Sequence, residues 1–204
     1  MRKFELDIEK LKEAICLVVA SCKPSELGAV KLHKVLYYAD MLTYISNGNP
    51  ITGATYKKRP YGPTCDAMLW AVKELERQGA IEINETDFHG YRKKEFCGRR
   101  ICNYSRLSEK EIETYKEVID FVCRNNTAQT ISDFSHDMVW DMVEFGEDIP
   151  YNAALNWIPT EVSKDALNWA EEVYQDVEKQ ETVRASDLES GRATPLRKFM
   201  AQIH

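Results

Sequence analysis

The side chains best equipped for chemistry in this chain are the consecutive Ser135, His136 and Asp137, the lone Cys65, and His33 with Lys31 and Lys34 close by. A nucleophile, base and acid must converge on one point, whereas consecutive residues on a helix project about 100 degrees apart. The Ser-His-Asp run is therefore expected to be structural, with His136 partly buried and holding loop backbone near Tyr61. Cys65 stands where a helix is expected to begin, a place that favours thiolate. Asp66 beside it acts in the opposite sense, and no histidine is near it in sequence. His33 reads as a surface or pocket residue. The six cysteines, at 16, 22, 65, 97, 102 and 123, contain no C-x-x-C, and the four histidines are scattered. Paired ligand spacing, a Gly-rich phosphate loop and H-E-x-x-H are all missing, so no catalytic residue, metal or cofactor is expected. The chain is not expected to be an enzyme.

The elements that must position these groups are mostly helices. Around Lys31 to Asn47, the residues Leu32, Val35, Leu36, Ala39, Leu42 and Ile45 recur at three- and four-residue steps and define a core face. Lys31 and Lys34 are expected on or beside the opposite face. Tyr37 and Tyr38 occupy adjacent faces, so at least one is expected to leave the core. Asn47-Gly48 is a left-handed stop and Pro50 forbids continuation. A short basic extended segment then leads to Tyr61-Gly62-Pro63, a turn that feeds the next helix.

Before this unit, Asp7 is the expected N-cap of a helix carrying Ile8, Leu11, Ile15, Val18 and Val19 on one stripe, and Ser25 is a second candidate cap. After it, Thr64 to Gln78 reads as a helix, Ala80 to Asn84 and Tyr91 to Phe96 as a hairpin, and Arg99 to Leu107 as a third strand. Ser108-Glu109-Lys110-Glu111 forms a capping box for another helix. A segment starting at Thr130 carries Ser135, His136 and Trp140. Pro150 and Pro159 bracket a short helix, and Thr160 to Gln180 reads as a long one. The expected fold is mainly α (α+β): six to seven helices with a small antiparallel hairpin or three-stranded wing around residues 80–106. Residues 1–182 form one domain, and 183–204 a linker with a short amphipathic helix bearing Leu196, Phe199, Met200 and Ile203.

At 204 residues, 44% hydrophobic and 29% charged, the composition is that of a soluble globular protein. No apolar run approaches the roughly 18 residues of a membrane span. Cytoplasm is the expected location. The net charge of −6 is uneven, +4 over residues 56–106 and −11 over 107–204. Lys57, Lys58 and Arg59, with Arg92, Lys93, Lys94, Arg99 and Arg100 on the hairpin, form a possible basic patch. A helix followed by a basic hairpin is the pattern of a winged helix, so a DNA-binding autoregulator is the alternative reading. The helix before the wing opposes it, because Cys65 to Trp70 presents an acid and several apolar groups where a reading helix carries Arg, Lys, Asn or Gln.

The K-L-x-K-x-L-Y-Y-A helix (Lys31, Leu32, Lys34, Leu36, Tyr37, Tyr38, Ala39), the Gly48–Pro50 loop and Tyr61-Gly62-Pro63 resemble the Panacea domain. This family is also called SocA-like, and its members are often labelled phage-associated proteins. A second block, Ile131 to His136 followed by Trp140, agrees with the family's later segment. The chain departs from the family before Tyr61, where Tyr56-Lys57-Lys58-Arg59-Pro60 replaces the aromatic or acid-Ala-Trp run. The resemblance implies an antitoxin-like protein-binding module that neutralises a cognate toxin by direct contact. It implies further that an ATP-dependent protease is a second partner, as in the SocA-like branch. A phage or prophage protein with another partner, or a homodimer, is the remaining alternative. Lys31, Leu32, Lys34, Tyr37, Tyr38, Tyr61, Gly62, Pro63, Ser135, His136 and Trp140 are the candidate partner-binding residues.

Overall fold

The computed structural model describes residues 4–88, 90–100 and 102–158, all within the unit Met1–Ile158. The expected helix over 160–180, the linker and the C-terminal amphipathic segment lie outside the described residues.

Helix α1 (Ile8–Ser21) starts at Asp7, whose carboxylate accepts the backbone N–H of Lys10 at 2.9 Å. Helix α2 (Ala29–Asn47) starts at Gly28, without a side-chain cap. Ser25, the candidate cap, sits instead in a short 3-10 turn, Pro24–Glu26, because Pro24 has already closed the chain into that turn. α2 ends where Gly48 adopts φ +75° and donates its N–H to the Tyr44 carbonyl at 2.7 Å.

α2 packs against α1, against α4 (Glu109–Ile119), against α5 (Ala128–Phe134) and against a 3-10 helix, Tyr151–Trp157. Because neighbours surround it, every residue from Lys31 to Asp40 is buried. A single buried stripe is thus replaced by burial all round, and the two lysines and both tyrosines go inside. Leu42, expected in the core, is 42% exposed instead.

Helix α3 (Asp66–Arg77) buries Met68, Ala71, Val72 and Leu75 and is followed by a ribbon of β2 (Ile81–Phe88) and β3 (Tyr91–Gly98). The expected third strand is not formed among the described residues: the backbone N–H groups of Arg99 and Arg100 turn back to the Ala80 carbonyl. One pairing had no sequence signal. β1 (Tyr56–Lys57) joins β4 (Asp148–Ile149) in an antiparallel pair of two residues each, drawing together segments about ninety residues apart.

α4 carries the expected capping box, with Ser108 and Glu111 each bonding the other's backbone N–H. It runs into a π-helical turn, Asp120–Arg124, where Asn125 N–H reaches back to the Asp120 carbonyl at 3.1 Å. α5 begins one turn earlier than Thr130, at the cap Thr127, and a short α6 (Met138–Asp141) follows. Most of the described chain is helical, with two small antiparallel pairs.

Candidate protein-docking site

The Tyr-Gly-Pro corner is a closed hairpin. Lys57 and Thr64 exchange backbone hydrogen bonds at 2.8 and 3.1 Å, and the Gly62 N–H closes a turn onto the Arg59 carbonyl at 2.8 Å. The outer side of the same strand meets the later chain, with Lys58 bonding backbone of Gly146 and Glu147.

Lys34 holds this corner from below. Its Nζ donates to the carbonyls of Tyr61 at 2.6 Å and Pro63 at 3.1 Å, and the whole residue is inaccessible to solvent. Burial pushes its amine down to about 7. Gly62 sits between that amine and α5 with φ +84°, and a β-carbon there would stand 2.2 Å from Ser135 Oγ and 2.4 Å from Lys34 Nζ. Glycine is required twice over, by the backbone angle and by the space. Two motif blocks some seventy residues apart in sequence thus close on a single glycine.

The other motif residues serve the same frame. Lys31 Nζ donates to the Cys123 carbonyl at 2.9 Å and ties α2 to the π-turn. His33 Nδ1 accepts the Cys65 N–H at 3.2 Å and is held neutral, its basicity lowered to about 4 first by burial and then by Lys34. That bond positions the start of α3. Cys65 is not an activated thiol: burial raises it to about 11 despite the helix start, because desolvation outweighs the helix amides. Asp40, also enclosed, accepts from Thr52 N–H at 2.7 Å, Thr52 hydroxyl at 2.5 Å and Tyr56 hydroxyl at 2.7 Å, while the Tyr151 hydroxyl, 3.3 Å away, donates to the Ala54 carbonyl at 2.5 Å. This carboxylate knot, which sequence reasoning missed, anchors the loop leading to the corner and has no local sequence signature.

Ser135, His136 and Asp137 lie at the joint between α5 and α6, and each has a separate task. Ser135 Oγ donates to the Ser132 carbonyl at 2.7 Å. Asp137 caps α6 with one oxygen and accepts Trp157 Nε1–H at 2.7 Å with the other. His136 stacks on Trp140 with ring centroids 4.2 Å apart, and its Nε2 has no hydrogen-bond partner among the described residues. The residues that hold the corner's backbone are therefore Lys34 and Lys57, not His136. Lys58 completes the second block, its ammonium 3.9 Å from the Trp140 ring centre and 3.9 Å from Asp141.

Of the candidate partner-binding residues, Lys31, Leu32, Lys34, Tyr37, Tyr38, Gly62, Pro63 and Ser135 are buried. Tyr61 is 70% exposed, and His136 and Trp140 are half-buried. The buried set can act on a partner only by fixing the shape of what is displayed. Large apolar side chains are displayed nearby in the chain, among them Phe134, Met138 and Phe145.

The basic patch is dispersed and paired. Lys57 and Arg59 both face Asp66, at 3.6 and 3.9 Å, and Arg92 faces Glu85 at 4.0 Å. Lys93 bonds Glu95 at 3.0 Å and the Ser25 carbonyl, Arg99 bonds Glu82, and Arg100 donates to the Gln78 carbonyl. Lys94 is exposed. Among the described residues, no three His, Cys, Asp or Glu side chains are grouped as metal ligands, and no helix is long and apolar enough to cross a membrane.

The described residues form a mainly helical domain built on a lysine-latched Tyr-Gly-Pro corner. The family model described as antitoxin SocA-like, Panacea domain, matches residues 32–141, more than half of the chain, and the chain belongs to this family. No curated protein and no solved structure matches it.

Proposed function

We propose that this protein neutralises a cognate toxin by direct protein–protein contact. Family membership points to an antitoxin role. The observation that supports contact as the mechanism is the use made of the motif. Its lysines and Ser135, with the neighbouring His33 and Asp137, are consumed in fixing backbone, while exposed aromatic and sulfur-containing side chains remain. Displayed rigid aromatics on a firmly held frame are what a protein partner can grip. The ion pairs of the hairpin oppose phosphate binding, since those cations already have carboxylate partners. Delivery of the bound toxin to an ATP-dependent protease is a further step of the same proposal.

The test is to express the adjacent reading frame alone and with this protein. Growth arrest by the first, relieved by coexpression through a purifiable complex, is the expected result. Relief without any complex, or through salt-sensitive binding of this protein to its own upstream DNA, overturns the proposal.

A further inference from the structure

Resting on that reading, we propose that the partner contributes an amphipathic helix carrying Lys or Arg, seated in an acidic-rimmed apolar groove between α2, α4, α5 and the 3-10 helix. The groove has a volume of about 620 Å³. Its floor is Tyr38 and Trp157, with rings 5.7 Å apart, and its walls are Leu42, Phe121, Phe134 and Met138. Phe121 and Phe134 meet edge to face at 5.3 Å, so the wall is a fixed aromatic surface.

Three observations point to an occupant of this chemistry. First, the rim residues are apolar yet open: Phe134 and Met138 are 57% and 58% exposed. Methionine beside fixed aromatics suits an apolar helix face presented at i, i+3 and i+4. Second, the charged groups lining the groove are both acids. Glu117 is exposed and forms no ion pair among the described residues, and Asp137, besides its cap and its Trp157 bond, brings a second negative charge. A basic residue on the incoming helix is the complement. Third, Tyr38, which lines the groove, has a buried hydroxyl without a hydrogen-bond partner among the described residues, a polar group left to be satisfied. The π-turn that carries Phe121 adds a local departure from regular helix at the wall, a feature frequent at functional sites.

The probe is a displayed library of randomised peptides about 20 residues long, enough to form helix, selected against the full-length protein. The expected result is enrichment of sequences with apolar residues at three- and four-residue spacing beside Lys or Arg. Binding of a selected peptide should fall about tenfold or more in Phe134→Ala. Glu117→Lys, an exposed substitution that leaves the fold intact, should weaken basic peptides and favour acidic ones. Lack of enrichment, enrichment of acidic or extended sequences, saturation of the groove by small apolar compounds alone, or indifference to both variants overturns the inference. If a purified toxin complex forms but both variants keep its affinity, the partner binds elsewhere and only the groove assignment falls. If no complex forms at all, the antitoxin reading falls by itself.

Discussion

Gly62→Ala isolates the contact on which the corner depends. Two penalties act there, and Gly48→Ala separates them. Both glycines have φ near +80°, at +75° and +84°, but nothing lies within 4 Å of a β-carbon built on Gly48. Alanine in such a backbone costs about 1 kcal/mol, and at Gly48 that is the whole effect. At Gly62 the new methyl meets Ser135 Oγ and Lys34 Nζ. The amine is the tip of a flexible chain, yet it is enclosed and bonded to two carbonyls, so moving it away loses hydrogen bonds worth about 1–3 kcal/mol. Overpacking against Ser135 adds about 1–3 kcal/mol. The total is about 3–7 kcal/mol against about 1 for Gly48→Ala. At roughly 2–4 °C per kcal/mol for a chain of this size, Gly62→Ala should lower Tm by about 10 °C or more and Gly48→Ala by only a few degrees. Thermal and urea unfolding of the two variants would measure this. Equal losses at both positions would show that the amine and serine do not confine Gly62.

Three further outcomes follow from buried ionisable groups. The Lys34 amine is lowered in the folded state, so the unfolded chain binds more protons between about pH 7 and the normal lysine range. Its contribution to stability is present above that range and is lost as pH falls through about 7. Lys34→Met should therefore fall further below the wild type at pH 9.5 than at pH 6.5, measured by urea midpoints, and a gap independent of pH would refute it. His33 is also lowered, to about 4, so its contribution is intact above pH 6.5 and disappears as pH falls through about 4, a change of roughly 3 kcal/mol. His33→Gln should flatten acid unfolding over that window, and an unchanged acid limb would contradict the burial. Asp40→Ala strands the Thr52 N–H, the Thr52 hydroxyl and the Tyr56 hydroxyl inside the protein and should cost about 3 kcal/mol or more. A loss under 1 kcal/mol would mean that the knot is open to water.

Much of the frame was legible from local signals, because caps and stops act over a few residues. Asp7, the Ser108–Glu111 box, Gly48 and the Tyr61 corner all take the expected places. What periodicity could not reveal was the surroundings of α2. A stripe at helical spacing looks the same whether one face or all faces are covered, and only the arrival of α4, α5 and the 3-10 helix buries Lys31, Lys34 and both tyrosines. Leu42 fails for the converse reason: it has the right spacing but no neighbour closes over it. The site had the same limit. Lys34, Gly62 and Ser135 were visible as motif residues, but their meeting depends on a tertiary approach between distant segments. The Asp40 knot and the β1–β4 pair likewise join residues with no local relation.

The most direct test of direct contact is to mix the purified protein with the purified product of its neighbouring reading frame and weigh the result by size-exclusion chromatography with light scattering. A stable heteromeric species that persists at high salt is expected. Two separate peaks, from preparations in which coexpression still protects cells, would contradict it.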